Sequence, residues 1–331
     1  MREREQWIDL LRIISCFAVV LLHVSVYGVY NETINAVWYA GNFYDSVSRF
    51  AVPCFFMISG MLYKEDSKKN YEKIRKLFLL YLFWTFVYVV FINMNCIFEG
   101  DAITLVKVFF KQIIFSYNHL WYIPALIIVW ICAPLVNLKE RLLVVAFCLL
   151  LSLGTIEHVF LEKTVINAIY WNISNTLWCL GYFVLGKWAY NHIWTKQDRI
   201  IVYIGGIMST FIICVGTFLL KWNESNSVFG LYEYDTLFVG SVSIAIFVFV
   251  KTMFEKRPSS KLVKEIANCT FGIYLVHILI RDMLWKVADK VPTMMINIWG
   301  IPILAFVIFL LSFIVVYICR RISILKVMFV L

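Results

Sequence analysis

Charged residues are scarce in this chain of 331 residues: they form 15% of it, while hydrophobic residues form 62%. Soluble domains average about a quarter charged and about half apolar residues, so the composition excludes an ordinary soluble protein. Apolar runs of roughly 20 residues recur instead, and each is long enough to cross the hydrocarbon core of a bilayer. The sequence therefore predicts an all-α, polytopic membrane protein.

Motifs for metals and nucleotides are missing as well. The nine cysteines are scattered and none forms a C-x-x-C pair, so neither a zinc site nor a disulfide framework is indicated. The sequence contains no G-x-x-x-x-G-K loop and no H-E-x-x-H helix, which argues against a P-loop nucleotidase and a zinc metalloprotease. We expect no metal cofactor.

About ten transmembrane helices are predicted. They cover residues 8–28, 43–63, 77–97, 119–138, 142–160, 168–188, 200–220, 235–253, 266–286 and 298–319. With the amino terminus inside, most of the 30 Lys and Arg residues fall in the inner segments, as the positive-inside rule requires. Both termini are therefore expected in the cytoplasm. The net charge of +9 then reflects topology and contact with anionic membrane lipids, not binding of nucleic acid.

The connections between these spans are short. Even the longest, 64–76 inside and 98–118 outside, cannot fold independently, so residues 1–331 are expected to form a single transmembrane domain. Residues 101–115 alternate apolar and basic positions at helical spacing, which predicts an amphipathic helix on the outer interface. The outer loops 29–42 and 221–234 are rich in Trp, Tyr, Asn and Glu, which suit either a sugar or an ordinary membrane interface.

Polar residues interrupt the first span. Asp9 and Arg12 stand near its start and His23 lies well inside it. Placing an ionisable group in hydrocarbon costs several kcal/mol unless it finds a partner or water. Arg12 and His23 are eleven residues apart, almost three helical turns, so they share one face about 16 Å apart along the axis. An interfacial anchor and a packing histidine are the separate alternatives, but the pair predicts two ends of a channel for an elongated polar ligand.

The second span carries its own polar set. Asp45 and Arg49 are four residues apart and can form an ion pair, or Arg49 can turn to a ligand. Pro53, Ser59 and Gly60 then interrupt the apolar run on the inner half, where irregular backbone is tolerated only against protein or water.

Two later spans add histidines. His119, Trp121 and Tyr122 open the fourth span, where an aromatic belt is the ordinary explanation for the two large rings. His277 lies near the middle of the ninth span, in HILIRD (277–282), which matches an H-x4-D pattern. On a continuous helix five residues turn the chain by about 500°, which takes His277 and Asp282 off a common face. We do not expect that pair to act as a base and its orienting partner.

In order and spacing, these motifs together resemble the acyltransferase-3 family of integral membrane O-acyltransferases. The matching residues are Arg12 and His23 in the first helix, Arg49, Pro53, Phe55, Phe56, Ser59 and Gly60 in the second, H-L-W-Y at 119–122, and Tyr274, Leu275 and His277. The resemblance implies a cytoplasmic acyl-CoA donor, usually acetyl-CoA, and an acceptor hydroxyl on a surface glycan or lipid-linked sugar outside. It also implies a multi-pass protein of the cell membrane, the plasma membrane of a bacterium.

Roles for the individual residues follow from the resemblance together with the spacing. The predicted catalytic residues are His23, Arg49, His119 and His277; the predicted coenzyme A contacts are Arg12, Asp9, Ser59 and Gly60; the predicted acceptor contacts are Trp121, Tyr122 and Asp45. His23 is expected to act as general base on the acceptor hydroxyl. Arg49 would stabilise the thioester oxyanion or the acceptor. Direct transfer and transfer through an acyl-histidine both stay open. Direct transfer is preferred, and no Ser or Cys has a nucleophile context.

Two further interpretations stay open. The first is a transporter or substrate-translocating domain without acyl transfer, because a similar architecture is fused to membrane serine racemases and buried His and Arg also line transport pathways. Paired discontinuous helices, the usual pointer to a transport site, are missing from the sequence pattern. The second, a structural subunit of a glycan-assembly complex, leaves the stripe of Arg12 and His23 unexplained.

Overall fold

The computed structural model describes residues 5–64, 66–94, 101–136, 140–160, 165–223, 228–255, 257–258, 260–287 and 294–329. The α-helices are α1 (Gln6–Val29), α2 (Ala36–Ser48), α3 (Ala51–Met61), α4 (Ser67–Ile92), α5 (Ala102–Phe115), α6 (Tyr122–Cys132), α7 (Glu140–Phe160), α8 (Val165–Asn191), α9 (Lys196–Trp222), α10 (Leu237–Phe254), α11 (Lys261–Val287), α12 (Gly300–Cys319) and α13 (Ser323–Lys326). Short 3-10 helices cover Asn118–Trp121, Ala133–Val136 and Gly230–Tyr232. The prediction of an all-α chain is confirmed for these residues.

Several helices are long and apolar enough to cross a membrane. Among the described residues six meet both conditions, namely α1, α4, α9, α10, α11 and α12. The pair α5 and α6, bent by 51° where the two helices meet, makes a seventh if it is counted as one span. The predicted spans 43–63, 142–160 and 168–188 coincide with helices that are not among the six found in the described residues. A polytopic membrane protein is therefore confirmed, but a count of ten is not.

The second predicted span is two helices. α2 ends at Ser48 and α3 begins at Ala51, with Arg49 and Phe50 between them. Pro53 has no N–H and therefore cannot bond to the carbonyl of Arg49, four residues earlier, so the helical hydrogen-bond ladder is interrupted at that point. The ladder resumes at once, because the N–H of Cys54 donates to the carbonyl of Phe50 over 3.0 Å.

The predicted outer loop 29–42 is largely helical. Asn35 accepts a hydrogen bond from the N–H of Trp38 (3.0 Å) and so caps α2, which begins at Ala36. Asn is among the best N-cap residues because its side-chain oxygen satisfies a backbone donor that the helix leaves unpaired. The loop prediction was wrong for this segment because the cap signal was overlooked.

The helix predicted over 101–115 is confirmed as α5. Asp101 caps it by accepting from the N–H of Thr104 (3.0 Å), and none of its side chains is buried. The chain then bends at Ser116, which has a positive φ of 55°. The position of α5 at the outer interface stays a prediction.

The centre of the bundle is α1, which packs against α2, α3, α10, α11 and α12. α3 in turn lies very close to α8. A Cβ added to Gly60 would come within 1.8 Å of the carbonyl oxygen of Phe183, and one added to Gly186 within 2.1 Å of that of Met57. Such glycines let helix backbones touch in membrane proteins, and here they fix the helix that carries Phe55 and Ser59.

Candidate active site

One cavity of about 420 Å³ lies between α1, α3, α4, α6 and α11. Both Arg12 and His23 line it, so the two polar positions of the first helix face the same space. A residue rise of 1.5 Å along a helix puts them about 16 Å apart. The cavity wall between them is mainly apolar and aromatic, with Val19, Leu22 and Phe271 among its residues.

Arg12, Lys73 and Arg320 line the part of the cavity here called the cationic end. They come from α1, α4 and the residue that follows α12. Arg320 donates to Sγ of Cys269, and the neighbouring carbonyl of Thr270 accepts from Cys16 of α1, one turn from Arg12. Arg12 lies 3.8 Å from Asp9, and the ammonium of Lys73 stands 4.7 Å from the centre of the Trp130 ring. Arg12 and Lys73 are near enough to repel each other. Nε of Arg320 is buried and has no hydrogen-bond partner. This arrangement favours an anionic ligand.

At the other end three imidazoles meet; we call His23, His119 and His277 the histidine cluster. The ring centres are 5.2 Å apart for His23 and His277, 5.0 Å for His119 and His277, and 6.2 Å for His23 and His119. The three rings come from α1, from the 3-10 turn before α6 and from α11. His23 and His119 line the cavity and His277 touches both from behind.

Backbone contacts hold the cluster in place. Nδ1 of His277 lies 2.7 Å from the carbonyl of Tyr274, whose own hydroxyl donates to the carbonyl of His119 over 2.6 Å. Arg281 donates to the carbonyl of His23 over 3.3 Å. Nδ1 of His119 and Nε2 of His277 are buried without a hydrogen-bond partner. Two basic nitrogens are therefore left for a ligand or for proton transfer.

Arg49 lies beside the cavity, not in its wall. Its guanidinium pairs with Asp45, donates to the carbonyl of Tyr232 (3.2 Å) and stands 4.3 Å from the centre of that ring. The predicted ion pair is thus present. The ring centre of Tyr234 is 6.0 Å from the same guanidinium, and Tyr234 does line the cavity. Arg49 and Asp45 therefore adjoin the cavity by way of an aromatic side chain and do not line it themselves.

The other predicted contacts divide into two groups. Ser59, Trp121 and Tyr122 line the cavity. Gly60 and Asp9 are not among its lining residues: Gly60 forms the contact between α3 and α8, and Asp9 is buried beside Arg12. Their predicted roles toward coenzyme A stay predictions.

Sequence reasoning missed Lys73 and Arg320 as members of the site. Lys73 belongs to the basic run 64–76 and Arg320 to the basic tail; the inner basic loops as a whole were expected near the phosphates of coenzyme A, but neither residue was singled out. Their helical spacing could not reveal that they end beside Arg12, because that depends on how α4 and α12 pack against α1.

The H-x4-D match at 277–282 is not a functional pair. α11 is continuous through this segment, and Asp282 bonds to Arg281 over 2.7 Å. In the described part of the chain, no group of three or more His, Cys, Asp or Glu side chains is arranged to hold a metal ion.

Comparisons with known proteins give a family. The sequence profile of the acyltransferase domain of the acyltransferase-3 type matches residues 5–321. Two proteins described as amino-acid racemases of Enterococcus faecalis are 26% identical to this chain, one over 321 residues (88% of this chain, 43% of that protein) and one over 254 residues (70% and 33%). The chain thus spans less than half the length of the curated relatives it matches. No solved structure matches. With a profile that covers nearly all of its length, the chain belongs to the acyltransferase-3 family of membrane acyltransferases.

Proposed function

We propose that this acyltransferase moves an acyl group, acetyl in the simplest case, from cytoplasmic acyl-CoA to a hydroxyl of a surface glycan or lipid-linked sugar on the outer side. The observation that carries the proposal is the single cavity with Arg12, Lys73 and Arg320 at one end and the histidine cluster at the other. Acyl transfer across a membrane needs a site for a phosphorylated donor and a separate basic group, and the cations and imidazoles that line this cavity would suit those two tasks.

The donor fits the cationic end by charge and by length. Phosphate groups are recognised by guanidinium and ammonium groups, with Arg suited to two-pronged contacts. A pantetheine arm is comparable in length to the separation of about 16 Å between Arg12 and His23. The thioester would then reach the histidine cluster while the phosphates stay at the cationic end.

His23 is the proposed general base, because it faces the cavity and the acceptor hydroxyl must approach from there. The hydroxyl oxygen attacks the acyl carbonyl carbon while its proton passes to His23. The tetrahedral oxyanion collapses, the carbon–sulfur bond breaks, and the departing thiolate of CoA takes the proton back from His23. Ester and free CoA are formed, and no metal or covalent enzyme intermediate is required.

The remaining residues would support this chemistry. Trp121 and Tyr122 are proposed to stack on the acceptor, with Tyr234 beside them. Arg49, held by Asp45, is proposed to act on the acceptor or the oxyanion through the neighbouring wall of the cavity.

The proposal also fixes an orientation. Acyl-CoA is a cytoplasmic metabolite, so the cationic end and both termini must face the cytoplasm, and ten crossings would return the chain to that side. The membrane would be the plasma membrane of a bacterium, with the histidine cluster nearer its outer face.

The direct test uses purified protein in lipid nanodiscs with acetyl-CoA and isolated surface glycan. Release of free CoA that depends on the glycan, together with O-acetyl groups found on the glycan by mass spectrometry, is the expected result. Absence of both with a correctly folded protein and glycans from several cell envelopes would contradict the proposal.

The racemase relatives support a second candidate, a membrane domain that handles or translocates an amino acid. That function predicts uptake of labelled amino acid into proteoliposomes without consumption of acyl-CoA. A racemic mixture of serine or alanine is a suitable first probe. Uptake with no acyl transfer would favour this candidate over ours.

A further inference from the structure

Tyr88 of α4 lies directly behind the histidine cluster. Its side chain is fully buried and it is not among the residues that line the cavity. The ring stacks on Tyr117 at 5.1 Å, and the hydroxyl oxygen lies 2.8 Å from the carbonyl of Leu275 and 3.4 Å from Nε2 of His119. A buried hydroxyl fixed between a carbonyl and an imidazole can determine which nitrogen of that imidazole carries its hydrogen.

The assignment follows from counting donors. A carbonyl oxygen only accepts, so the single hydroxyl hydrogen of Tyr88 goes to Leu275. The oxygen of Tyr88 can then meet Nε2 of His119 only as an acceptor, which places the hydrogen of the neutral imidazole on Nε2. Nδ1 of His119, which is buried and has no partner, is left with a free lone pair.

The same count applies to His277. Its Nδ1 faces the carbonyls of Tyr274 at 2.7 Å and Ile273 at 3.2 Å, so Nδ1 must carry the hydrogen. Nε2 of His277 is then bare, and it too is buried without a partner. Two imidazoles with rings 5.0 Å apart thus each offer an acceptor and no donor.

We propose that Tyr88 is a positioning residue that fixes His119 as the Nε2–H tautomer, so that Nδ1 faces the histidine cluster as a hydrogen-bond acceptor. For its effect on rate this inference rests on the proposed acyl transfer. When His23 takes the proton of the acceptor hydroxyl it becomes an imidazolium with two N–H groups, and the bare nitrogen of His119 stabilises it by accepting one of them. The proton then leaves with the CoA thiolate, and the tautomer of His119 is unchanged.

The test for the tautomer does not depend on activity. The chain has five histidines, so protein labelled with 15N only in histidine and held in lipid bilayers gives a spectrum that can be assigned, with His119→Gln identifying the signals of His119. We expect His119 with a protonated Nε2 and a bare Nδ1 in the wild type. A wild-type His119 protonated on Nδ1 would overturn the proposal, whatever the variants do.

Tyr88→Phe removes the hydroxyl acceptor at Nε2 and leaves only the backbone of Leu275, with which His119 also bonds, so the His119 signals should shift toward a mixture of the two tautomers. Tyr81→Phe is the matched control. Tyr81 lies seven residues earlier on the same helix, and its hydroxyl is similarly bonded, to the carbonyl of Ile113 (2.9 Å) and Oγ of Ser116 (2.8 Å), but not to a histidine. An unchanged His119 signal in a folded Tyr88→Phe protein would contradict the proposal.

Kinetics give the second readout. With acyl transfer established, Tyr88→Phe should lower kcat by about tenfold or more at unchanged KM for acyl-CoA, below the range of about 10²–10⁴-fold for a general acid–base group itself. In a His119→Gln background the same change should have no further effect, because both substitutions remove one interaction. Additive losses would mean that Tyr88 acts by some other route. If acyl transfer is not found at all, the proposed function fails and the tautomer result stands.

Discussion

The two ends of the cavity differ in how they hold their functional groups. At the cationic end, three long side chains come from separate helices, and that of Lys73 is exposed. At the histidine cluster, His119 and His277 are buried; the ring of His277 bonds to the carbonyl of Tyr274, and the ring of His119 meets the hydroxyl of Tyr88. Flexible charges suit a polyphosphate that must enter and leave, whereas proton transfer requires groups held within hydrogen-bond reach. Substitutions at the cationic end should therefore change binding, and those at the histidine cluster should change turnover.

The largest effect is expected from His23→Ala. Loss of the general base should lower kcat by about 10²–10⁴-fold with little change in KM for acyl-CoA. Release of free CoA from the reconstituted protein measures it. His192→Ala is the control, because His192 stacks on Trp188 (4.8 Å) and is not among the residues that line the cavity. Wild-type turnover in a His23→Ala protein would contradict the view that the histidine cluster governs turnover while the cationic end governs binding.

Asp45→Asn is expected to have the second-largest effect, and it tests the rigidity of the region beside the histidine cluster. Asp45 is fully buried and paired with Arg49, and removing one partner of a buried pair costs about 3–5 kcal/mol of folding free energy. Thermal unfolding in detergent should show a clear loss of stability.

Asp66→Asn is the matched control for that experiment. Asp66 forms an exposed pair with Lys69 (2.9 Å) and caps α4, and Asn is an equally good cap. It should unfold like the wild type. Equal stability of the two variants would mean that the region around Arg49 is no more rigid than the exposed start of α4.

Arg12→Ala should raise KM for acyl-CoA by about tenfold and leave kcat unchanged, since a charge-assisted hydrogen bond to phosphate contributes on the order of 1.5–3 kcal/mol. Initial rates at varied acyl-CoA concentration give both constants. Arg75→Ala, an exposed cation on the same segment as Lys73 that does not line the cavity, should change neither. A lower kcat with an unchanged KM for acyl-CoA would instead show that Arg12 acts in the chemical step and not in binding.

The smallest effect is expected from Lys73→Ala. This side chain is exposed, and water screens its charge, so KM for acyl-CoA should rise only about two- to threefold. Rates measured at about 1 M salt, where the Debye length is about 3 Å, should no longer separate this variant from the wild type. A salt-independent difference would indicate a close, desolvated contact instead.

Local patterns in the sequence predicted much of the fold. The apolar runs gave the helices, the spacing of four gave the pair of Asp45 and Arg49, and the Asp101 segment gave α5. Two features of the fold that these patterns did not predict also have a local physical cause. The helix break at Arg49 and Phe50 arises from the proline four residues later, and the start of α2 arises from the Asn35 cap. Both signals are in the sequence, and hydrophobicity alone does not report them.

Helical spacing predicted the candidate site only on the first helix, whereas His119, His277, Ser59, Trp121 and Tyr122 were predicted from the family resemblance. Arg12 and His23 share a face because helical periodicity is a property of the chain itself. Gly60 belongs to a motif with Ser59, yet only Ser59 reaches the cavity, because Gly60 is taken up by the contact with Phe183.

The sequence by itself determined that this protein is helical, lies in a membrane, and carries a cation and an imidazole on one face of its first helix. These follow from composition and from the 3.6-residue period, which act between neighbours in the chain. The packing of α4, α11, α12 and the 3-10 turn before α6 with α1 decided the rest: it brought His119 and His277 to His23, Lys73 to Arg12, Arg320 into the same cavity, and Tyr88 to His119. Contacts between distant segments depend on how side chains of several helices fit together, and no local period contains that information.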